Sequence, residues 1–357
     1  MQPISLKTPY RFFAAANGES GFRSYFDDIF SSEEHSAVFI LKGGPGTGKS
    51  TFLKKVAKAF ERPDIQVELY YCSSDPSSLD GVVLTSKNAK VCLLDGTAPH
   101  ERDARLPGAS DILVNLGEGF DEELLRKRKN DILQLQRKKS AAYKDAYFNL
   151  GLFGVFNDKI RAEYKKSLKV PMIKNWISDA VLKKESSQSG GFFRPRLISS
   201  FSKDGLLSLD SYEKISNEQM YFKGTDEACG LLLHEMLSIL RECGYEGFFA
   251  PSPFNEEWID GLFLNDASLS VLRSGEKNEG AIDADHFFLP FSSADAERIR
   301  KYENERNRFL SSARELLKEA SDAHFALESI YTPAMKFERI DEIQSEVTNK
   351  IALLLGV

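Results

Sequence analysis

The stretch Gly43-Gly44-Pro45-Gly46-Thr47-Gly48-Lys49-Ser50, followed by Thr51, decides how the chain is read. It has the form G-x-x-x-x-G-K-[ST], in which glycines let successive backbone N–H groups turn inward on a phosphate chain. Ahead of it, Ala37-Val38-Phe39-Ile40-Leu41 is the unbroken apolar run of a buried strand. Behind it, Phe52, Leu53, Val56, Ala57 and Phe60 fall on one helical stripe. Strand, glycine loop and helix in that order predict an α/β fold with an anion nest at the positive end of a helix. The predicted phosphate-binding residues are Gly43, Gly44, Pro45, Gly46, Thr47, Gly48, Lys49, Ser50 and Thr51. Lys49 would set a full charge against the β,γ-bridge of a nucleoside triphosphate, and the Ser50 hydroxyl would take one position on Mg²⁺.

Downstream, Val91-Cys92-Leu93-Leu94-Asp95 is a buried strand ending in an acid. That is the form of a Walker B site, which makes Asp95 the second metal residue beside Ser50. In open α/β sheets, ligands lie at the carboxyl ends of strands, so three loops are expected to converge. They are the glycine loop, the turn Cys72–Asp80, and the segment Asp95–Arg102. Asp75 and Asp80 are read either as a catalytic or second magnesium carboxylate or as the chemistry of a Ser-Ser-Asp-Pro turn. His100 and Thr97 stand just past the metal strand, where either would sense a γ-phosphate. Lys49, Asp95, Asp75 and His100 form the predicted catalytic set. The residue after Asp95 is Gly96 rather than an acid, which argues against an AAA+ motor despite a similar glycine loop. There is no ABC-type Ser-Gly-Gly-Gln and no Asn-Lys-x-Asp for reading guanine, so ATP is preferred over GTP.

The chain has 357 residues, 42% hydrophobic and 28% charged, with a net charge of −6. This is an ordinary globular composition with length for two domains. The acidic balance argues against a protein that coats DNA, although a local basic surface is compatible with it. Cys72, Cys92, Cys229 and Cys243 show no C-x-x-C spacing, which suggests neither a zinc site nor a disulfide framework. With no membrane-length apolar run and no leader pattern at the N-terminus, a cytoplasmic protein is expected.

Internal repetition organises the remainder. Arg196-Leu197-Ile198-Ser199-Ser200 parallels Arg11-Phe12-Phe13-Ala14-Ala15, and Gln219–Gly224 parallels Val38–Gly43. Ile259–Leu264 echoes Leu79–Leu84, and Ser321–Phe325 echoes Lys144–Phe148. Two tandem domains are predicted, each a mainly parallel sheet flanked by helices with a long-helix extension. The first covers residues 1–184 (extension about 121–184), residues 185–195 form a linker, and the second covers 196–357 (extension about 294–357). The second copy reads Lys223-Gly224-Thr225-Asp226-Glu227-Ala228-Cys229-Gly230, with no lysine or hydroxyl at the positions of Lys49 and Ser50, two carboxylates where phosphate would lie, and Arg273 where the first has Asp95. It is read as a pseudo-NTPase.

From Asp121 to Lys184 there are 16 Lys/Arg against 8 Asp/Glu, whereas the matching stretch 294–357 has 10 against 12. The helix at 126–139 is therefore read as a solvated face, as a lid over ATP, or as a surface for nucleic acid. The glycine loop, Cys72-Ser73-Ser74-Asp75-Pro76 with Leu79-Asp80-Gly81, and Asp95-Gly96-Thr97-Ala98-Pro99-His100 together resemble a little-characterised family of tandem P-loop ATPases of Gram-positive spore formers. The resemblance covers essentially the whole chain and implies the fold and ATP binding, but no substrate. In that family both halves commonly carry a phosphate loop, so Asp226-Glu227 is a departure. The leading expectation is a Mg²⁺-dependent ATPase with one live site in its first half and a regulatory or docking second half. A kinase of a nucleotide or other small metabolite is the second reading, with Asp75 near the acceptor, and an ATP-gated adaptor for a protein partner is the third. Arg273 and Arg300 are conceivable arginine donors to the first site, and no membrane partner is expected.

Overall fold

The computed structural model describes residues 8–181, 190–274 and 280–357. In chain order the first half runs β1 (Tyr10–Phe13), β2 (Ala15–Gly18), β3 (Gly21–Ser24), α1 (Phe26–Ile29), β4 (Ala37–Lys42), α2 (Lys49–Ala59) and β5 (Gln66–Tyr71). It continues with β6 (Leu79–Thr85), β7 (Lys90–Asp95), β8 (Asp111–Asn115), α3 (Glu122–Lys127), α4 (Lys129–Ser167) and α5 (Val170–Ala180). The second half runs β9 (Phe193–Pro195), β10 (Ser199–Ser202), β11 (Gly205–Ser208), α6 (Ser211–Ile215), β12 (Glu218–Lys223), α7 (Asp226–Glu242) and β13 (Gly247–Pro251). After these come β14 (Ile259–Leu264), β15 (Leu269–Arg273), β16 (Ile282–Asp283), α8 (Ser293–Tyr331) and α9 (Phe337–Leu355). Of the expected linker, residues 185–189 lie outside the described residues, and Phe193–Pro195 is a strand of the second sheet.

Both halves repeat one topology. The first sheet has the order β1-β5-β6-β7-β4-β8, and the second has β9-β13-β14-β15-β12-β16. In the first, β6 runs against all the others, and in the second β14 does. These are α/β layers of mostly parallel strands flanked by helices. The paired sequence segments fall on corresponding strands: β4 with β12, and β6 with β14. Leu41 pairs with Asp95 and Phe222 with Arg273, so Arg273 holds the second half's counterpart of Asp95. At the edge the correspondence shifts by one residue, because Arg11 lies opposite Leu69 and Pro195 opposite Phe249. The strands β8 and β16, which the sequence reading had not identified, border β4 and β12.

The packing units do not follow sequence order. One unit comprises the chain up to Ala15, Ser24–Asp145 and Glu315–Val357, while the other comprises Ala16–Arg23 and Ala146–Arg314. The last 43 residues of the chain therefore pack with the first sheet rather than the second. Helix α9 explains this locally. Its Ile340, Ile343, Val347, Ile351 and Leu355 recur at helical spacing and join Phe39, Val56 and Leu93 in one core. Gly356, at φ +74°, closes the helix in the left-handed conformation that glycine adopts without penalty. In the other unit, Ile173 and Ile177 of α5 pack with Phe222, Leu232 and Leu262. Among the described residues, no helix is long and apolar enough to cross a membrane.

Candidate functional site

Strand β4 is buried along Ala37–Leu41, as a central parallel strand with both faces covered must be. Its carboxyl end delivers the Gly43–Ser50 loop, which passes directly into α2. Gly46 and Gly48 have φ of +67° and +85°, the left-handed region where a Cβ is disfavoured. Gly48 caps α2, and its carbonyl accepts the first helical hydrogen bond from Phe52 N at 2.8 Å. Lys49 Nζ donates to Gly44 O at 2.8 Å and to Gly43 O at 3.3 Å, and lies 3.6 Å from Asp95 Oδ2. The buried Thr47 hydroxyl donates to Gly44 O at 2.9 Å. Pro45 is half-buried in the loop, and Thr51 is exposed on the first turn of α2.

The three expected loops meet. Ser50 Oγ accepts a hydrogen bond from Leu79 N at 2.9 Å, which ties the glycine loop to the 72–80 turn. Asp95, at the end of β7, is oriented by Thr97: its Oδ1 accepts from Thr97 N at 2.9 Å and Thr97 Oγ1 at 2.6 Å. His100 Nδ1 donates to Asp95 O at 2.9 Å, while its Nε2 stands 3.4 Å from Asp80 Oδ2. The imidazole stacks on Phe26 at 4.3 Å and is buried. Burial by itself would lower the pKa of His100, but the Asp80 and Asp95 charges outweigh it and raise the value. With both ring nitrogens engaged within the chain, His100 braces the end of β7 rather than facing the loop. Asp75 Oδ1 accepts from Ser77 N at 3.2 Å and Ser77 Oγ at 2.7 Å, which is turn chemistry.

The basic helix divides by neighbour. Arg126 and Lys127 pair with Glu122 and Glu123 of α3, and Arg128, between the helices, pairs with Asp131 of α4. Lys139 is different: it is half-buried and close enough to Lys49 that, after desolvation, the Lys49 charge is the cause depressing its pKa. One turn further along α4, Tyr143 OH stands 3.3 Å from Ser74 Oγ in the 72–80 turn, which holds this helix face against the site. Sequence reasoning had the basic run but did not single out Lys139. It also missed the segment Glu328–Phe337, which lies directly on the glycine loop: a Cβ on Gly44 would meet the Tyr331 ring at 3.1 Å, and one on Gly46 would meet Thr332 Oγ1 at 2.7 Å.

Ser50, on the first turn of α2, and Asp95, at the end of β7, offer hard oxygen donors of the kind Mg²⁺ takes. Among the described residues no group of three or more His, Cys, Asp or Glu could hold an ion alone.

In the other half, the matching position is filled from within. Thr225 caps α7, its Oγ1 accepting from Ala228 N at 3.1 Å. Arg273 binds Asp226 Oδ1 at 2.7 Å and Asp260 Oδ1 at 3.2 Å, and buried Glu227 pairs with Arg306. Here the Asp226 and Glu227 carboxylates are neutralised by arginines of the same unit, rather than left facing an open site. No protein family, curated protein or solved structure matches the chain. Fold and site together define an α/β chain of two similar halves, with a glycine loop, a lysine and an acid converging in the first.

Proposed function

We propose that the chain is a Mg²⁺-dependent P-loop NTPase that binds and hydrolyses ATP at Gly43–Ser50, with a second half that regulates or docks. The observation that carries this reading is the convergence of Lys49, Ser50 and Asp95 where β4 and β7 end side by side, beneath a loop with two left-handed glycines. Such a loop at a helix N-terminus is a ready-made phosphate cradle. Ser50 and Asp95 would hold Mg²⁺, which when bound neutralises charge across the β- and γ-phosphates. Lys49 would exchange its loop carbonyls for phosphate oxygens. Lys139 lies in the field of Lys49, and two like charges brought together favour a polyanion between them. Thr97 and His100 would act as positioning residues for Asp95.

Inorganic phosphate release from ATP, with no acceptor present, tests this directly. The expected result is turnover abolished by Asp95→Asn. ADP formation that requires an added acceptor would replace hydrolysis with the kinase reading, and nucleotide-dependent partner binding without turnover would replace it with the adaptor reading.

A further inference from the structure

The outer face of α4 carries cations that the nucleotide site does not use. Over residues 129–141 only Ile132, Leu135 and Lys139 are partly buried, at the spacing of one inward helical stripe. Lys129, Arg137 and Lys144 fall together on the solvent side, two turns apart, and all three are exposed. From Lys129 to Lys144 the row runs about 22 Å along the helix. Between Ile132 and Lys144 there is no acidic residue, and the preceding Asp131 is already held by Arg128 Nε at 2.6 Å. Among the described residues, Lys129, Arg137 and Lys144 enter no ion pair. The other 39-residue helix, α8, is built differently at its start. There Arg298 pairs with Glu163 and Asp295, Lys301 with Glu297, Arg306 with Glu227, and Arg308 with Glu305.

We propose that this face of α4 binds the phosphate backbone of a nucleic acid, by charge and without reading sequence. A 22 Å row lies along about six phosphates of one strand, at ~3.4 Å of axis each. Gln136 and Ser140, exposed on the same side, add neutral donors of the kind that contact phosphate and sugar. With a net charge of −6, the chain repels a polyanion over most of its surface, which confines the contact to this strip. An anionic membrane fits less well, because Leu133 is the one large apolar side chain exposed over 129–144. The proposal is independent of the nucleotide reading, since neither Lys49 nor its loop takes part.

Fluorescence anisotropy of a labelled duplex of about 20 base pairs, titrated with the full chain from ~50 to ~200 mM salt, tests it. The expected slope of log affinity against log salt is about −3, from three phosphates at roughly −0.9 each. Lys129→Gln/Arg137→Gln/Lys144→Gln should lose at least about tenfold in affinity and flatten the slope toward zero. Lys301→Gln/Arg308→Gln, at exposed positions of α8, should change affinity by less than about twofold. If the triple variant melts below wild type, each single substitution still reads the row, reducing the slope by about 1. No binding by wild type at the lowest salt, or unchanged affinity and slope in the variants of α4, overturns the proposal. Poly-glutamate that competes as well as the duplex at matched charge also overturns it, and assigns the face to an acidic protein.

Discussion

Replacing Arg273 with methionine tests whether the second half's site is closed by its own ion pairs. Arg273 contacts two carboxylates of unequal burial: the Asp226 side chain is 67% exposed, that of Asp260 only 5%. The Asp226 contact is a surface pair and contributes less than about 1 kcal/mol. Asp260 is the costly partner, since removing one member of a buried pair leaves an uncompensated charge worth ~3–5 kcal/mol. Burial already raises the Asp260 pKa, and Arg273 is the leading counterweight. A carboxyl with a raised folded pKa stabilises most below its unfolded pKa, and that stability is lost as pH rises through the folded value. Arg273→Met raises the folded value further, so its cost should be small near pH 4 and largest above pH 7. Both tryptophans of the chain, Trp176 and Trp258, lie in the same packing unit as Arg273, so tryptophan fluorescence in a urea titration reports that unit alone. A loss under about 1 kcal/mol at pH 7.5, or one independent of pH, would refute the reasoning.

Other outcomes follow from the first unit. His100→Gln should lower the calorimetric melting temperature more at pH 6 than at pH 9, because a histidine with a raised folded pKa stabilises below 6.5 and loses that contribution as pH rises. His35, whose pKa burial pushes down to about 4, slopes the other way but is common to both proteins and cancels in the comparison. Ile351→Ala, at a fully buried position of α9, should cost ~2–5 kcal/mol of unfolding free energy by circular dichroism, and an unchanged stability would separate α9 from this core. Lys139→Ala should weaken ATP binding about tenfold without lowering stability, while Lys138→Ala, at an exposed neighbour, should change affinity by less than twofold. Equal effects from the two would return the helix to a merely solvated face.

The elements legible in the sequence are those whose local signals agree. An apolar run, two turn-forming glycines and a helical stripe make β4, the loop and α2 unambiguous, and the repeat carries the same topology to the second half. Strand β8 was not legible because Asp111-Ile112-Leu113-Val114-Asn115 is a short edge strand with Leu113 exposed, so its apolar run is brief and only partly buried even though Pro107-Gly108 marks a turn before it. The packing partner of α9 was not legible either. A clue existed in α8, whose 39 residues span roughly 58 Å, too long to flank a single small sheet. Asp75 illustrates the opposite limit: its carboxylate chemistry is visible in the sequence, but only the contacts to Ser77 tell a turn from a base. Lys139 required three-dimensional neighbours, since nothing in residue type separates it from other charges on long helices.

The central claim is one nucleotide site, at Gly43–Ser50. Isothermal titration of Mg·ATP into wild type and Lys49→Ala tests it most directly. The account predicts one site per chain in wild type and at least about a tenfold loss of affinity, ~1.4 kcal/mol, in the variant. Equal affinity in the two proteins would contradict it.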